Sequence, residues 1–250
     1  MATSWKVPAL SALAGAVIAV ALIYAAALTG SFPQDDGRIR SYLMAHPDVI
    51  ADASAKYDEL QEDKDDQARQ SAISKLGTKR FFDPKVAFIT GPRSARTTFV
   101  EFFDYNCPHC RASVGAVQRF YNAHKSTARF AFIEFPIQGP QSTVAARAAI
   151  AAARQQPDKY VAYHFTMMNE DGPVDEETIF ADAKRVGLDV NRLKTDMNDP
   201  SIAYRLDQTM KLAHMARIDG TPEFIVDGQS REGEVDDGLL KTMSSRVSRS

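Results

Sequence analysis

Cys107 and Cys110 are the only two cysteines in the 250-residue chain, and Pro108 and His109 separate them. Two thiols at this spacing can exchange electrons as a dithiol and a disulfide. A bridge closing so short a loop removes little entropy from the unfolded chain, so stability is a weak reason for the pair and chemistry a better one. Its surroundings agree. Thr97–Phe103 (TTFVEFF) reads as a buried strand, and the run after Cys107 reads as a helix through about His124. The first cysteine then stands at a helix N-terminus, where free N–H groups and the helix dipole favour negative charge. Thiolate is the reactive form, so this position lowers the pKa where reactivity needs it. Pro108 suits a first helical turn. His109 adds a positive charge beside Cys107, and stabilising the thiolate makes the disulfide a better oxidant. Cys110, one turn further in, is expected to be buried and to attack a mixed disulfide from within. Glu101, on the preceding strand, is the expected proton acceptor beneath the pair, because a buried carboxyl titrates near neutrality.

Other chemistries fit less well. A structural zinc site uses about four ligands, and no second cysteine pair exists, so no metal is expected. The net charge of −2 and pI of 6.2 offer no polyanion-binding surface, so nucleic acid is not an expected partner. His164 lies on an aromatic helix face and reads as a core or boundary residue. Glu134, on the second strand, is a candidate neighbour of Glu101. His46 and His124 read as solvated. Met167, Met168, Met210 and Met215 read as filler rather than copper ligands.

Positioning the pair requires the rest of the chain. Val7–Leu28 carries no charge and is long enough to span a bilayer as a helix. It is read as an anchor with the N-terminus in the cytoplasm; the alternative is a signal peptide cleaved near Ala25–Ala27. Residues 1–31 therefore form an anchor or signal segment. Residues 32–80 form a helical stalk. There Ile39, Leu43, Ile50, Ala53, Tyr57 and Leu60 make a seam, Pro47 starts a second helix, and the polar run 58–70 is expected to be solvated. The seam suits either homo-oligomerisation or packing back on the chain's own domain. Residues 81–250 form the third region: a short strand at Val86–Ile89, Thr97–Phe103, the Cys107 helix, a strand at Arg129–Phe135, a helical block at 141–216, a strand at Glu223–Val226 and a final amphipathic helix at Val235–Val247. Within the block, Pro200 opens a helix with Ile202, Leu206, Met210 and Ala213 on one stripe. Strand–helix–strand order predicts parallel pairing, and the block reads as an insertion into an α/β core.

Phe102-Phe103-Asp104-Tyr105-Asn106-Cys107-Pro108-His109-Cys110 resembles the active-site run of the DsbA-like family of the thioredoxin superfamily. Gly220-Thr221-Pro222-Glu223-Phe224 resembles that family's cis-proline loop, and the helical block is similar too. The resemblance covers residues 81–250. It implies a thioredoxin-like fold with a helical insertion. Cys107 would be the exposed nucleophile, Cys110 the resolving thiol, Glu101 the buried acid and Pro222 a cis residue, with Thr221 offering its backbone to substrate. No cofactor is implied beyond a redox-active Cys107–Cys110 disulfide. The implied partners are unfolded or misoxidised exported polypeptides and a membrane redox partner that resets the pair. The implied location is the inner membrane facing the periplasm, or the periplasm if the leader is cleaved. Thr221 before the proline, and the N-terminal helices, also resemble isomerase branches of the superfamily. Readings outside this chemistry are an anchored chaperone and a copper-handling protein.

Overall fold

The computed structural model describes residues 36–245 together with Val20, Ala21, Tyr24 and Ala25. Apart from those four, the expected Val7–Leu28 span lies outside the described residues, as does the chain past residue 245. Among the described residues no helix is long and apolar enough to cross a membrane. The chain divides into two compact units between Glu62 and Asp63.

The first unit contains α1 (Asp36–Ala45) and the start of α2 (Pro47–Leu76). The break falls where proline demands it. The His46 N–H donates to the Tyr42 carbonyl at 2.8 Å, and Pro47, lacking an N–H, opens the next helix. Of the expected seam, Ile39, Ile50, Tyr57 and Leu60 are exposed and Leu43 is half-buried.

In the second unit the polar run is not solvated throughout, contrary to expectation. Arg69, near the end of α2, is 5% exposed because distant carboxylates surround its guanidinium. Ile73 is buried, and the helix stops at Gly77, whose positive φ of 74° favours glycine. A 3-10 turn at Thr78–Phe82 then buries Phe81 and Phe82.

A five-stranded mixed sheet follows: β1 (Phe88–Thr90), β2 (Thr97–Phe103), β3 (Ala128–Glu134), β4 (Glu223–Val226) and β5 (Gln229–Glu232), ordered β1-β3-β2-β4-β5. β2 and β3 pair in parallel, as the strand–helix–strand order predicts; the other neighbours are antiparallel. β1 starts later than predicted because the Val86 and Ala87 N–H groups both donate to the Asp83 carbonyl in a turn. Gly91 must be glycine: its φ is 86°, and a Cβ there would run into the Ala128 carbonyl. β5 was not expected, since QSRE is polar and forms an open edge.

Both faces of the sheet are covered, which is why β2 and β3 read as continuous apolar runs. On one face Phe99, Phe103, Phe130, Phe132 and Phe224 pack with α3 (Pro108–His124) and the helical block. On the other, Val100, Phe102, Ala131, Ile133 and Ile225 meet Ile73, Phe81, Leu212 and Ala216. The block comprises α4 (Pro140–Gln155), α5 (Pro157–Met168), α6 (Glu176–Arg185), α7 (Val190–Asp196) and α8 (Pro200–Ala216). Ala145–Ala152 is buried nearly all round α4, except at half-buried Arg147, so neighbouring helices approach closely. Asp175 caps α6, accepting from the Thr178 N–H at 2.9 Å. α7 was not expected. On α8 the predicted stripe is wrong at Met210, which is exposed; Thr209 faces the core instead, because the helix turns at 3.6 residues rather than four. α9 (Asp237–Ser245) begins after Asp236, whose carboxylate accepts from the Leu239 N–H at 2.7 Å.

Candidate active site

β2 ends at Phe103 and α3 begins at Pro108, so a four-residue turn delivers Cys107. Cys107 is the N-cap, in extended conformation (φ −80°, ψ 120°) with proline after it. Two short polar side chains pin the turn. Asp104 Oδ1 accepts from the Asn106 N–H at 2.8 Å, and Oδ2 accepts from the Ile137 and Gln138 N–H groups, each at 2.8 Å. Asn106 Oδ1 accepts from the Val174 N–H at 2.7 Å, and its Nδ2 donates to the Val174 carbonyl at 3.3 Å. The active-site turn is thus fastened to the segment after β3 and to the loop before α6. Sequence reasoning assigned neither residue a role. Their signal was available: Asx side chains where a strand hands over to a helix commonly satisfy turn backbone.

The two cysteines are free thiols with opposite acidities. Cys107 is held at about 5: Cys110 hydrogen-bonds to it, and the backbone N–H groups of Cys110 and His109 contribute, against the cost of burial. Burial pushes Cys110 far up, and its hydrogen bond to Cys107 adds to this. The Glu101 charge also acts on Cys110. Glu101 is 2% exposed, its carboxyl is pushed up to about 8 by burial, and its Oε2 has no hydrogen-bond partner among the described residues. It is a buried, partly unsatisfied carboxyl whose charge reaches Cys110.

One expectation fails. Cys107 is not exposed; only 1% of the residue is accessible. The Thr221 carbonyl stands over its sulfur, accepting from Sγ at 3.1 Å. The group that faces solvent is His109. Its Nδ1 lies 2.7 Å from Glu234 Oε1, and this contact raises its pKa, with the Cys107 charge contributing. The Thr221–Pro222 bond is cis. The loop it belongs to comes from the far side of the helical block, and no local signal joins it to Cys107.

Glu134 lies on the same sheet face as Glu101, since the parallel register sets Glu101 against Phe132 and Phe103 against Glu134. It belongs to a different network. The Tyr160 hydroxyl donates to its Oε1 at 2.9 Å, and the Tyr105 hydroxyl lies 3.4 Å from Oε1 and 3.2 Å from His164 Nδ1. Burial raises Glu134 to about 8 and lowers His164 to about 3, so both are neutral at pH 7. His164 is a core residue, as expected. Met167 and Met168 are buried, Met210 and Met215 exposed, and His46 and His124 solvated. No group of three or more His, Cys, Asp or Glu residues able to hold a metal ion occurs among the described residues.

The chain resembles known proteins over this region. It is 36% identical to a thioredoxin-like oxidoreductase of Silicibacter pomeroyi, with a TM-score of 0.63 over 70% of this chain and 99% of that one. It is 26% identical over 156 residues to the probable disulfide bond formation protein D of Bacillus cereus, covering 58% of this chain and 72% of that protein. It is also 28% identical over 155 residues to the Na(+)/H(+) antiporter NhaA of Herminiimonas arsenicoxydans, covering 62% of this chain but 24% of that protein. The chain thus spans about a quarter of the length of the first curated relatives it matches. Residues 98–241 match the DSBA-like thioredoxin domain, and they carry the cysteine turn, the insertion and the cis-proline loop together. On that match, over more than half its length, the chain belongs to the DSBA-like thioredoxin domain family.

Proposed function

We propose that the protein is a thiol–disulfide oxidoreductase that forms disulfides in exported polypeptides through Cys107 and Cys110. The observation that carries this reading is the split between the two thiols: Cys107 is acidic at a helix N-terminus, while Cys110 is buried and held protonated. In the oxidised enzyme a substrate thiolate attacks Cys107 Sγ, the Cys107–Cys110 bond breaks and its electron pair leaves on Cys110. A second substrate thiolate then attacks the substrate sulfur of the mixed disulfide and expels Cys107 as a stabilised thiolate. Substrate loses two electrons and the enzyme gains them, so a redox partner must take them back. When Cys110 acts as the resolving nucleophile instead, Glu101 receives its proton. The Thr221 backbone, beside the sulfur, offers the incoming polypeptide an extended partner. His109, whose pKa the Glu234 contact raises, favours the Cys107 thiolate electrostatically in its protonated form.

The uncharged 7–28 stretch supports an anchored protein whose thiol domain faces the periplasm, or a periplasmic one if the segment is a cleaved leader. A second reading, an oligomeric isomerase or reductase of the same superfamily, is favoured by exposed Ile39, Ile50, Tyr57 and Leu60 on the N-terminal helices. The test is turnover of the full chain on a reduced and on a scrambled disulfide substrate, with and without Cys107→Ser. Oxidase activity predicts rescue of the reduced substrate alone and its abolition by the substitution. Rescue of the scrambled substrate moves the assignment to isomerase. Activity that survives Cys107→Ser rejects thiol exchange.

A further inference from the structure

Glu223 follows Pro222 directly and is 1% exposed, and no step above uses it. It stands opposite Glu232 in the β4–β5 register. Two carboxylates directly across an antiparallel pair repel. Here they also bracket the substrate loop. Glu223 continues its C-terminal end, and Glu232 Oε1 lies against Gly220 so closely that a Cβ there would stand 2.8 Å away. The Gly233 N–H, next to Glu232, donates to the Pro222 carbonyl at 2.9 Å.

The cation that reconciles the carboxylates comes from α2. Arg69 Nη1 lies 3.5 Å from Glu223 Oε2 and 2.9 Å from Asp66 Oδ1, and Nη2 donates to Glu232 Oε2. One turn-mate strengthens the grip. Gln70 Nε2 donates to the Gly228 carbonyl at 2.8 Å, and its Oε1 accepts from the Ser230 N–H at 2.9 Å. The planar fork of arginine suits two carboxylates at once; a lysine is a single point charge. Burial pushes the Glu223 carboxyl up to about 8, with Arg69 opposing and Glu232 adding to the rise.

We infer that Arg69 is a positioning residue for the Gly220–Pro222 loop, so that the last turns of α2 hold the Thr221 carbonyl over Cys107 and form a working part of the thiol site. The inference rests on the thiol-exchange reading. Without the fork, Glu232 loses its donor, Glu223 is left buried without the cation that faces it, and the start of the hairpin loses its tie to α2. Thr221 then loses its place beside the sulfur, and the loop loses its fit to substrate. A purely structural Arg69 would affect melting and leave Cys107 chemistry alone.

The experiment compares the full chain with Arg69→Met, Arg69→Lys and Arg69→Met/Glu223→Gln. It reads the pH midpoint of Cys107 alkylation by iodoacetamide on the reduced proteins, resolved by mass spectrometry, and, on the oxidised proteins recycled with glutathione disulfide, KM and kcat for oxidation of a dithiol peptide. Arg69→Met is expected to move the midpoint down by about half a unit, a threefold change in acidity, because the Thr221 carbonyl no longer takes the thiol proton and water reaches the sulfur, and to raise KM more than it lowers kcat. Adding Glu223→Gln should bring both back towards the parent. A folded Arg69→Met with midpoint and KM unchanged overturns the inference. If that variant does not fold, Arg69→Lys decides in the same way: a smaller shift of the same sign supports the inference and no shift overturns it. A parent midpoint at that of an ordinary thiol, about 8.5, sinks the thiol-exchange reading itself, a result separate from any difference between variants.

Discussion

Two buried glutamates on one face of the sheet carry the same displaced titration for different ends. Glu101 lies under the cysteine pair, and burial alone lifts it to about 8; one oxygen has no hydrogen-bond partner among the described residues. Glu134, on the neighbouring strand, also titrates at about 8, but two tyrosines converge on it and Tyr105 ties it to His164. The difference teaches that a perturbed pKa does not by itself mark a proton-transfer group. Each keeps its Oε2 without a hydrogen-bond partner among the described residues, so what separates them is the neighbour: only Glu101 acts on the thiol that must lose a proton. Glu134 uses its Oε1 to join the active-site turn, through Tyr105, to α5 of the insertion.

The comparison breaks or sharpens in measurable ways. The largest effect is expected at Glu134→Ala, which leaves the buried Tyr160 hydroxyl unpaired and a void behind it. It should cost about 3 kcal/mol in urea unfolding, while the alkylation rate of Cys107 stays close to the parent value. If instead that variant keeps its stability and loses turnover, the two roles have been exchanged. Next, Glu101→Gln should fold as well as the parent yet slow attack by Cys110 on a trapped mixed disulfide on the order of 10²-fold, equivalent to about 2.7 kcal/mol. A stopped-flow trace as fast as the parent's would remove Glu101 from the mechanism.

Stability against pH should show what the two share. The unfolded chain releases these protons near 4.5 and the folded one near 8, so between those values the native state binds more protons. Stability therefore falls as pH rises through that window, by at most about 1.4 kcal/mol per unit for each group. Glu101→Gln and Glu134→Gln should each flatten the slope; a slope indifferent to both would show that neither is displaced. The smallest effect is at Asp104, whose charge helps raise Glu134. Asp104→Asn keeps one accepting oxygen for the turn and should cost about 1 kcal/mol, lowering the Glu134 titration in a pH-jump experiment while leaving Glu101 where it was.

Much of this was legible locally. TTFVEFF named β2 to the residue, the apolar run before Cys107 and the helix after it placed the thiol at a helix start, and Pro47 and Pro200 opened helices where proline's fixed φ permits. The misses have common causes. β5 is a polar edge with no alternation to read. Arg69 looked solvated because its neighbours in sequence are mostly polar and the partners that bury it, Glu223 and Glu232, are not its neighbours. Cys107 was expected to be exposed because the family resemblance implied it, and nothing in the turn itself announces the Thr221 loop that covers it.

By itself, then, the order of residues determined that an acidic thiol would stand at a strand–helix junction with a second thiol one turn behind. Spacing, capping and helix dipole act within a few residues, and periodicity records them. Only the tertiary structure decided what covers and serves that thiol. Thr221 reaches Cys107 across 114 positions and Arg69 reaches Glu232 across 163. Contacts of that span come from packing both faces of one sheet, and no local pattern encodes which distant side chains will then meet.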